Sequence, residues 1–478
     1  MVIKTTGMLL TVEACLLLLP LAVALYYRER CFYAILITIG ISALLGGGAM
    51  LWGRNASKTI YSREGFVITA LSWFLLSAVG ALPFRISGEI PSYVDAFFET
   101  VSGFTTTGAS ILNDVEAMSR GLLFWRSFTH WVGGMGVLVF LMAMTKNISD
   151  RSIHIMRAEM PGPIVDKITP RTRDTAKIFY AIYIALTFVE VALLLCGGMP
   201  LYEALVHAFG TAGTGGFGIL RDSIASYSPY LQWVIGVFML VFGVNFNLYY
   251  LILIKRFKSV LKSGELWTYL GFAAASTGLI AFNIRSFYPS VSEAIRTAFF
   301  QVSSIMTTTG YATADFDTWP TLSKTTLLLL MFIGACAGST GGGIKVSRVM
   351  IYVKSIHREL RKLLRPRAVN VIRLEGKMVD ENVVRGQNAY LAVYALSFCL
   401  FFFLLSFDRF DVETNLSAAA ACFNNIGPGF AAVGPTHSYA GYSALSKLVL
   451  SAAMLMGRLE IFPILLMITP STWRNRNR

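Results

Sequence analysis

Four short polar knots hold the groups best suited to chemistry in this chain: Thr105-Thr106-Thr107-Gly108, Thr214-Gly215-Gly216-Phe217, Thr307-Thr308-Thr309-Gly310 and Asn424-Asn425-Ile426-Gly427. They offer backbone carbonyls, hydroxyls and amides, and no charge. Neutral oxygens of this kind replace the hydration shell of a hard monovalent cation, and glycine allows the backbone geometry that turns carbonyls inward. Potassium is the natural guest for that chemistry. A single Thr-Gly pair would serve equally well as an ordinary helix C-cap. Four of them, about a hundred residues apart and each between a short and a long apolar stretch, indicate four copies of one unit around an axis.

The surrounding sequence belongs in lipid. Of 478 residues, 55% are hydrophobic and 14% charged, with a mean hydropathy of +0.60, and apolar runs long enough to span hydrocarbon recur from end to end. Irregular backbone inside a bilayer is tolerated only where it is buried in protein or lines a watery cavity, so the knots are expected to meet at a pore. The first run, Met8 to Tyr27, is too long for a cleaved signal peptide and reads as a retained helix. Cys15, Cys31, Cys196, Cys336, Cys399 and Cys422 form no CxxC pair, and His130, His154, His207, His357 and His437 have no ligand spacing. The cysteines read as small buried hydrophobes and the histidines as surface or packing residues. No cluster of acid, base or metal ligands marks an enzyme.

Each unit reads as helix, half-helix, loop, helix. The first uses Phe66 to Phe84, Tyr93 to Phe104 and Leu122 to Thr145; the second Ile178 to Met199, Tyr202 to Ala212 and Leu231 to Ile254. The third uses Leu266 to Ile284, Val291 to Met306 and Thr325 to about Val349, and the fourth Tyr390 to Phe407, Val412 to Phe423 and Leu445 to Ile468. The half-helices are too short to cross about 30 Å of hydrocarbon at about 1.5 Å per residue, so they must enter and turn back. Their acids, Asp95, Glu99, Glu203, Glu293 and Glu413, are expected to complement the helix dipole and draw cations to the mouth.

The net charge of +14 is periodic along the chain. Basic loops at Arg54 to Arg63, Lys146 to Lys177, Lys255 to Lys262 and Lys345 to Arg385, followed by Arg474, Arg476 and Arg478, alternate with acidic ones. Eleven basic residues against four acids fill the Lys345 to Arg385 segment. This pattern places the basic loops and both termini in the cytoplasm, against anionic lipid headgroups or a cytosolic subunit. It does not call for nucleic acid.

Two further features stand inside the membrane. Gly334, Gly338, Gly341, Gly342 and Gly343 each cost a helix about 1 kcal/mol relative to alanine, so the third returning helix should unwind into a loop facing the conduction path. The segment is no phosphate-binding loop, because Lys345 follows Ile344 rather than the last glycine. Arg458 lies mid-span, where a guanidinium costs roughly 2.5 to 3.5 kcal/mol, and must face inward, toward water or toward an acid such as Glu460. Glu190 is a second intramembrane charge, expected to meet a basic residue.

The segments Phe98 to Ser110, Thr214 to Phe217, Ser303 to Tyr311, Gly338 to Lys345, Asn424 to Gly429 and Met456 to Glu460 resemble those of the Trk/Ktr/HKT potassium transporter superfamily, and the chain is most similar to its TrkH-type branch over nearly its whole length. The resemblance implies an all-α polytopic membrane protein. Four pseudo-fourfold M1-P-M2 repeats, like those of a potassium channel, surround one pore (61–148, 149–262, 263–355 and 356–478) after two extra N-terminal transmembrane helices (1–60). It maps the family's filter glycines onto Gly108, Gly215, Gly310 and Gly427, with potassium held by these and by Thr106, Thr107, Thr214, Thr308, Thr309, Asn425 and Ile426. It makes Gly338, Gly341, Gly342, Gly343, Lys345 and Arg458 the gate. It further implies a homodimer in a bacterial inner membrane, a cytosolic TrkA-type nucleotide-binding regulatory subunit, and no organic cofactor in this chain. Glycine at the first filter position favours potassium over the sodium of some plant relatives. No loop reads TVGYG, so one glycine ring is secure and selectivity against sodium should be weaker than in a four-ring filter. The residues leave a passive channel and a proton- or sodium-coupled symporter both open.

Overall fold

Inside lipid a chain must satisfy its own backbone, and helix is the local way to do so. The computed structural model, which describes residues 2–55, 62–136, 172–366 and 370–473, is accordingly helical through its apolar stretches. Two helices, Val2–Leu16 and Leu18–Tyr26, form the first N-terminal span and Cys31–Trp52 the second. The step at Leu17 follows from Pro20, which lacks an N–H and crowds the carbonyl one turn back. The two spans press together through small residues, as helices in lipid must. A Cβ on Gly46 would stand 2.8 Å from the Gly7 carbonyl oxygen, and Ser42 donates to the Leu10 carbonyl at 2.8 Å.

Four units follow. Their first helices are Ser62–Gly80 with Leu82–Ser87, then Thr172–Cys196, Gly264–Ile284 and Glu381–Leu405. The half-helices Tyr93–Phe104, Leu201–Gly213, Val291–Met306 and Val412–Phe423 fall almost where apolar length placed them. Each returning helix packs against the half-helix of the next unit: Arg120–Gly134 on Leu201–Gly213, Pro229–Phe242 on Val291–Met306, and Thr321–Phe332 on Val412–Phe423. Ala444–Arg458 then closes the circle on Tyr93–Phe104. The pseudo-fourfold order is therefore a property of the packing.

The returning helices differ from expectation in one respect. Only the third was expected to break, yet Pro229–Phe242 and Phe246–Leu253 meet at 92° across Gly243 to Asn245. The fourth breaks between Arg458 and Phe462, where Glu460 and Ile461 take φ of 54° and 68°. The first ends at Gly134, with Gly136 at φ 80°. In the third, helix stops at Phe332 and resumes at Val346, as the glycines demand.

Outside the helices, Arg373–Leu374 pairs antiparallel with Lys377–Met378 across Glu375 and Gly376, which both have positive φ, the geometry of a tight hairpin turn. Among the described residues five helices are long and apolar enough to cross a membrane, or up to six if the bent pair counts as one span. Large apolar side chains such as Leu44, Phe282 and Leu396 stand exposed on the outside, where lipid would cover them. The Lys146 to Lys177 connector lies outside the described residues as far as 171, as do Lys58, Arg367, Arg474, Arg476 and Arg478.

Candidate functional site

The four half-helices end alike. The amides of Thr107, Gly215, Thr309 and Ile426 donate at 2.8 Å to the carbonyls of Ser102, Gly210, Ser304 and Ala421, five residues back in each case. The residue before each amide is left-handed without being glycine: Thr106 at φ 55°, Thr214 at 56°, Thr308 at 60° and Asn425 at 58°. A left-handed β-branched residue costs about 1–3 kcal/mol and persists only where its surroundings hold it, a pattern concentrated at functional sites.

These bonds correct one sequence alignment. Gly215 was placed with Gly108, Gly310 and Gly427, but the residue sharing their position is Gly216, at φ 72° beside their 79°, 88° and 100°. Gly215 takes the place of Thr107, Thr309 and Ile426. Two adjacent glycines in the second knot hide this register from the sequence.

With the register set, the loops interlock. A Cβ on Gly108 would run into the carbonyl oxygen of Gly215, one on Gly216 into that of Thr309, and one on Gly310 into that of Ile426. A Cβ on Gly427 would stand 2.7 Å from the Thr107 oxygen. Each glycine is thus a notch for the carbonyl of the next loop, and the contacts close into a ring of four. Side chains brace it: Thr105 with Thr107 and Thr307 with Thr309, each pair at 2.8 Å between hydroxyls. Asn425 donates to the Thr107 hydroxyl at 3.0 Å and to the Met454 carbonyl at 2.9 Å. Of the residues expected from sequence to form a filter, Thr107, Gly108, Gly215, Thr309, Gly310, Ile426 and Gly427 make these contacts, and Thr106, Thr214, Thr308 and Asn425 are the left-handed residues just before them.

Gly108, Gly216, Gly310 and Gly427 border a cavity of about 250 Å³, whose wall continues through the residues that follow them, such as Asn113, Ser223 and Tyr439. The acids at the starts of the half-helices are largely neutralised. Asp95 pairs with Lys447 at 2.7 Å and Glu413 with Lys324 at 2.8 Å, both across units, and Glu293 faces Arg296 at 3.7 Å. Glu203 accepts from the Tyr227 hydroxyl at 2.7 Å. They act more as struts than as a free negative field.

Glu99 is the buried member of this set. It meets Arg126 at 2.6 Å and accepts from the Ser110 hydroxyl and the Ile111 amide, each at 2.9 Å. Arg126 donates to the Gly218 carbonyl at 3.0 Å and lies over the Phe217 ring at 3.4 Å, so the pair secures the chain leaving both the first and the second knot. The His130 ring stacks on Phe217, with centroids 4.1 Å apart, and backs onto Gly215. Removing one partner of a buried ion pair costs about 3–5 kcal/mol, whereas replacing both by apolar groups is often neutral. Glu99→Gln should therefore lower the melting temperature of the detergent-solubilised protein sharply. Glu99→Leu combined with Arg126→Met should regain most of the loss, and equal melting of all three proteins would disprove the clamp.

The Gly-rich loop touches the ring from the residues that precede the glycines, opposite the cavity. The Gly342 amide donates to the Thr308 hydroxyl at 2.6 Å, and Gly341 and Gly342 leave no room for a Cβ against the carbonyl oxygens of Thr307 and Asn424, at 2.9 and 2.6 Å. Gly338 and Gly343 are left-handed, at φ 67° and 65°. The loop also ties to the break in the second unit, Cys336 donating to the Gly243 carbonyl and Phe246 to that of Gly338, both at 3.0 Å. Lys345 is buried and donates to the Gly341 carbonyl.

Arg458 joins the third unit to the first. It donates to the Thr340 carbonyl at 2.7 Å and to the Gly133 and Gly134 carbonyls at 2.6 and 2.7 Å, linking the third unit's loop to the end of the first unit's returning helix. The acid two residues on is engaged elsewhere: Glu460 pairs with Arg348 at 2.5 Å. Glu190 is fully buried, and no basic partner of the kind expected for it is found among the described residues.

The family model for TrkH, described as a cation transport protein, matches residues 33–475. The chain is 35% identical over 480 residues to the Trk system potassium uptake protein TrkH of Salmonella typhimurium, covering 98% of each. It is 36% identical over 485 residues to the protein of the same name from Vibrio parahaemolyticus, covering 99% of each. The crystal structure of the potassium transporter TrkH from Vibrio parahaemolyticus superposes with a TM-score of 0.89 at 32% identity, over 99% of both chains. A fourfold ring of nested carbonyls inside a polytopic helical frame thus coincides with sequence likeness along the whole length, and the chain belongs to the TrkH family of cation transport proteins.

Proposed function

We propose that this chain takes up potassium across a bacterial inner membrane through the centre of the four-loop ring. The observation that carries the reading is the closed circle in which the carbonyls of Thr107, Gly215, Thr309 and Ile426 sit in the notches of Gly427, Gly108, Gly216 and Gly310. Four neutral oxygens held rigidly at one level suit an ion that has shed its water. Relatives named for potassium uptake, at 35% identity and end-to-end coverage, point to the same ion. The Gly-rich loop, with Gly338, Gly341, Gly342, Gly343 and Lys345, together with Arg458 forms the barrier on the far side of the ring. A homodimer regulated by a cytosolic TrkA-type nucleotide-binding subunit on the basic loops, with both termini in the cytoplasm, completes the reading.

Expression in a strain lacking its own uptake systems should restore growth at micromolar potassium. In liposomes holding the purified protein, rubidium tracer should enter along its gradient at a rate unchanged when a proton or sodium gradient is imposed at constant voltage. No growth and no tracer entry from well-folded protein would reject the function. Tracer entry that follows the proton gradient would favour a coupled symporter, the reading that buried Glu190 supports, and comparable rates for sodium would make the ring a general alkali-cation path.

A further inference from the structure

The Gly-rich loop is pinned at both ends by one oxygen atom. Oε1 of Glu265 accepts from the Ala337 amide at 2.8 Å, where the chain enters the loop, and from the Ser347 amide at 3.1 Å, where helix Val346–Leu364 begins. Glu265 is the second residue of helix Gly264–Ile284 and is 7% exposed. The amide of Ser347 is one of the helix-start donors left without an intrahelical acceptor, and a carboxylate also complements the positive end of that helix.

Glu265 is in turn held by a second carboxylate. Oε1 of Glu375 accepts from the Glu265 amide at 3.0 Å and from the Ser263 hydroxyl at 3.2 Å, and that hydroxyl caps the same helix by accepting from Leu266. Glu375 sits at the tip of the hairpin formed by Arg373–Leu374 and Lys377–Met378. The hairpin has an apolar anchor of its own, in which Ile372, Leu374 and Val379 pack with Ile351 and Val384, apart from the main core. Between Glu265 and Glu375 lies a cavity of about 130 Å³, bordered also by Asn245, Ala337 and Ser347, which leaves room for the hairpin to shift.

We propose that Glu375 and Glu265 form a two-step relay by which the position of the cytoplasmic hairpin sets the position of the Gly-rich loop. With the hairpin seated, Glu375 fixes the start of helix Gly264–Ile284 and Glu265 clasps both limbs of the loop against the ring. When the hairpin is displaced, the clasp loses its support and the loop is released at Ala337 and Ser347 together. Both glutamates are positioning residues, and the inference rests on reading the loop as the barrier.

The test uses the full chain in liposomes without any partner, with tracer flux as one readout and amide hydrogen exchange across residues 335–348 as the other. Glu265→Ala should raise flux at least about tenfold, the factor carried by even one of the two hydrogen bonds to a charged group that are lost, and should speed exchange at Ala337 and Ser347. Glu265→Gln keeps an acceptor oxygen at the same place and should stay near wild type. Glu375→Ala should act in the same direction as Glu265→Ala, and the double variant should add nothing. Arg458→Ala reports on the barrier independently. If it raises flux while Glu265→Ala and Glu375→Ala change neither flux nor exchange, the relay is wrong and the barrier stands. If none of them raises flux, the barrier reading fails and takes the relay with it. Should the alanine variant of Glu265 not fold, Glu375→Ala still decides: unaltered exchange at Ala337 and Ser347 refutes the relay.

Discussion

Alanine at Gly216 should abolish transport, whereas alanine at Gly215 should be rescuable. Gly216 has a φ of 72°, which costs an L-residue about 1–2 kcal/mol, and its Cβ would enter the Thr309 carbonyl and stand 2.9 and 3.0 Å from the carbonyl carbons of Thr309 and Gly310. Every obstacle is backbone, and it is the backbone of the ring. Something must move there, and displacing a reacting or ligating group by about 1 Å commonly costs about a hundredfold in rate. Gly215 is a different case: its Cβ would meet the His130 ring, a side chain that can be cut away. Tracer uptake should therefore fall at least about a hundredfold for Gly216→Ala with or without His130→Ala, and return substantially when His130→Ala is added to Gly215→Ala. Normal uptake by Gly216→Ala would show that the loops do not interlock in this register.

Arg458→Ala should produce the largest gain. The guanidinium reaches from the Thr340 carbonyl to those of Gly133 and Gly134, and hydrogen bonds from a charged donor contribute about 1.5–3 kcal/mol each. Its positive charge also repels an approaching cation, by about 4 kcal/mol at 4 Å and an effective dielectric of 20. Losing both the tether and the charge should raise partner-free rubidium flux by about ten- to a hundredfold, allowing for partial replacement of the tether by water. Arg458→Lys should fall between, since an ammonium keeps the charge but not the planar fork that reaches both sides at once. Unchanged or lower flux from an alanine variant that melts and expresses like the parent would remove Arg458 from the barrier.

Length and apolarity made the frame readable: the ends of Tyr93–Phe104, Val291–Met306 and Val412–Phe423 coincide with the apolar limits because a segment of that length in lipid can only enter and return. The knots were equally plain, since uncharged Thr, Asn and Gly in an otherwise apolar chain have few other uses. Facts of three-dimensional register were not readable. Gly215 and Gly216 are indistinguishable until the amide bond to Gly210 fixes the count. Five glycines announced the break in the third returning helix, but the single Gly243 and Gly457 gave no comparable signal for the second and fourth. The partners that neutralise Asp95 and Glu413 come from other units, at Lys447 and Lys324, so an expectation built on local charge overstated the field at the mouth. The hairpin that carries Glu375 is too short for an alternating pattern to register.

The seam of the ring lies between the first loop and the last, where Asn425 reaches Thr107 across 318 positions of the chain. A ribosome therefore delivers the opening loop long before the segment that completes it, and the contact that seals the ring waits for the fourth unit. A chain ending after three units would lack Ile426 and Gly427 and so would leave an open arc in place of the closed ring. The last unit of the chain thus decides whether the other three form a ring at all.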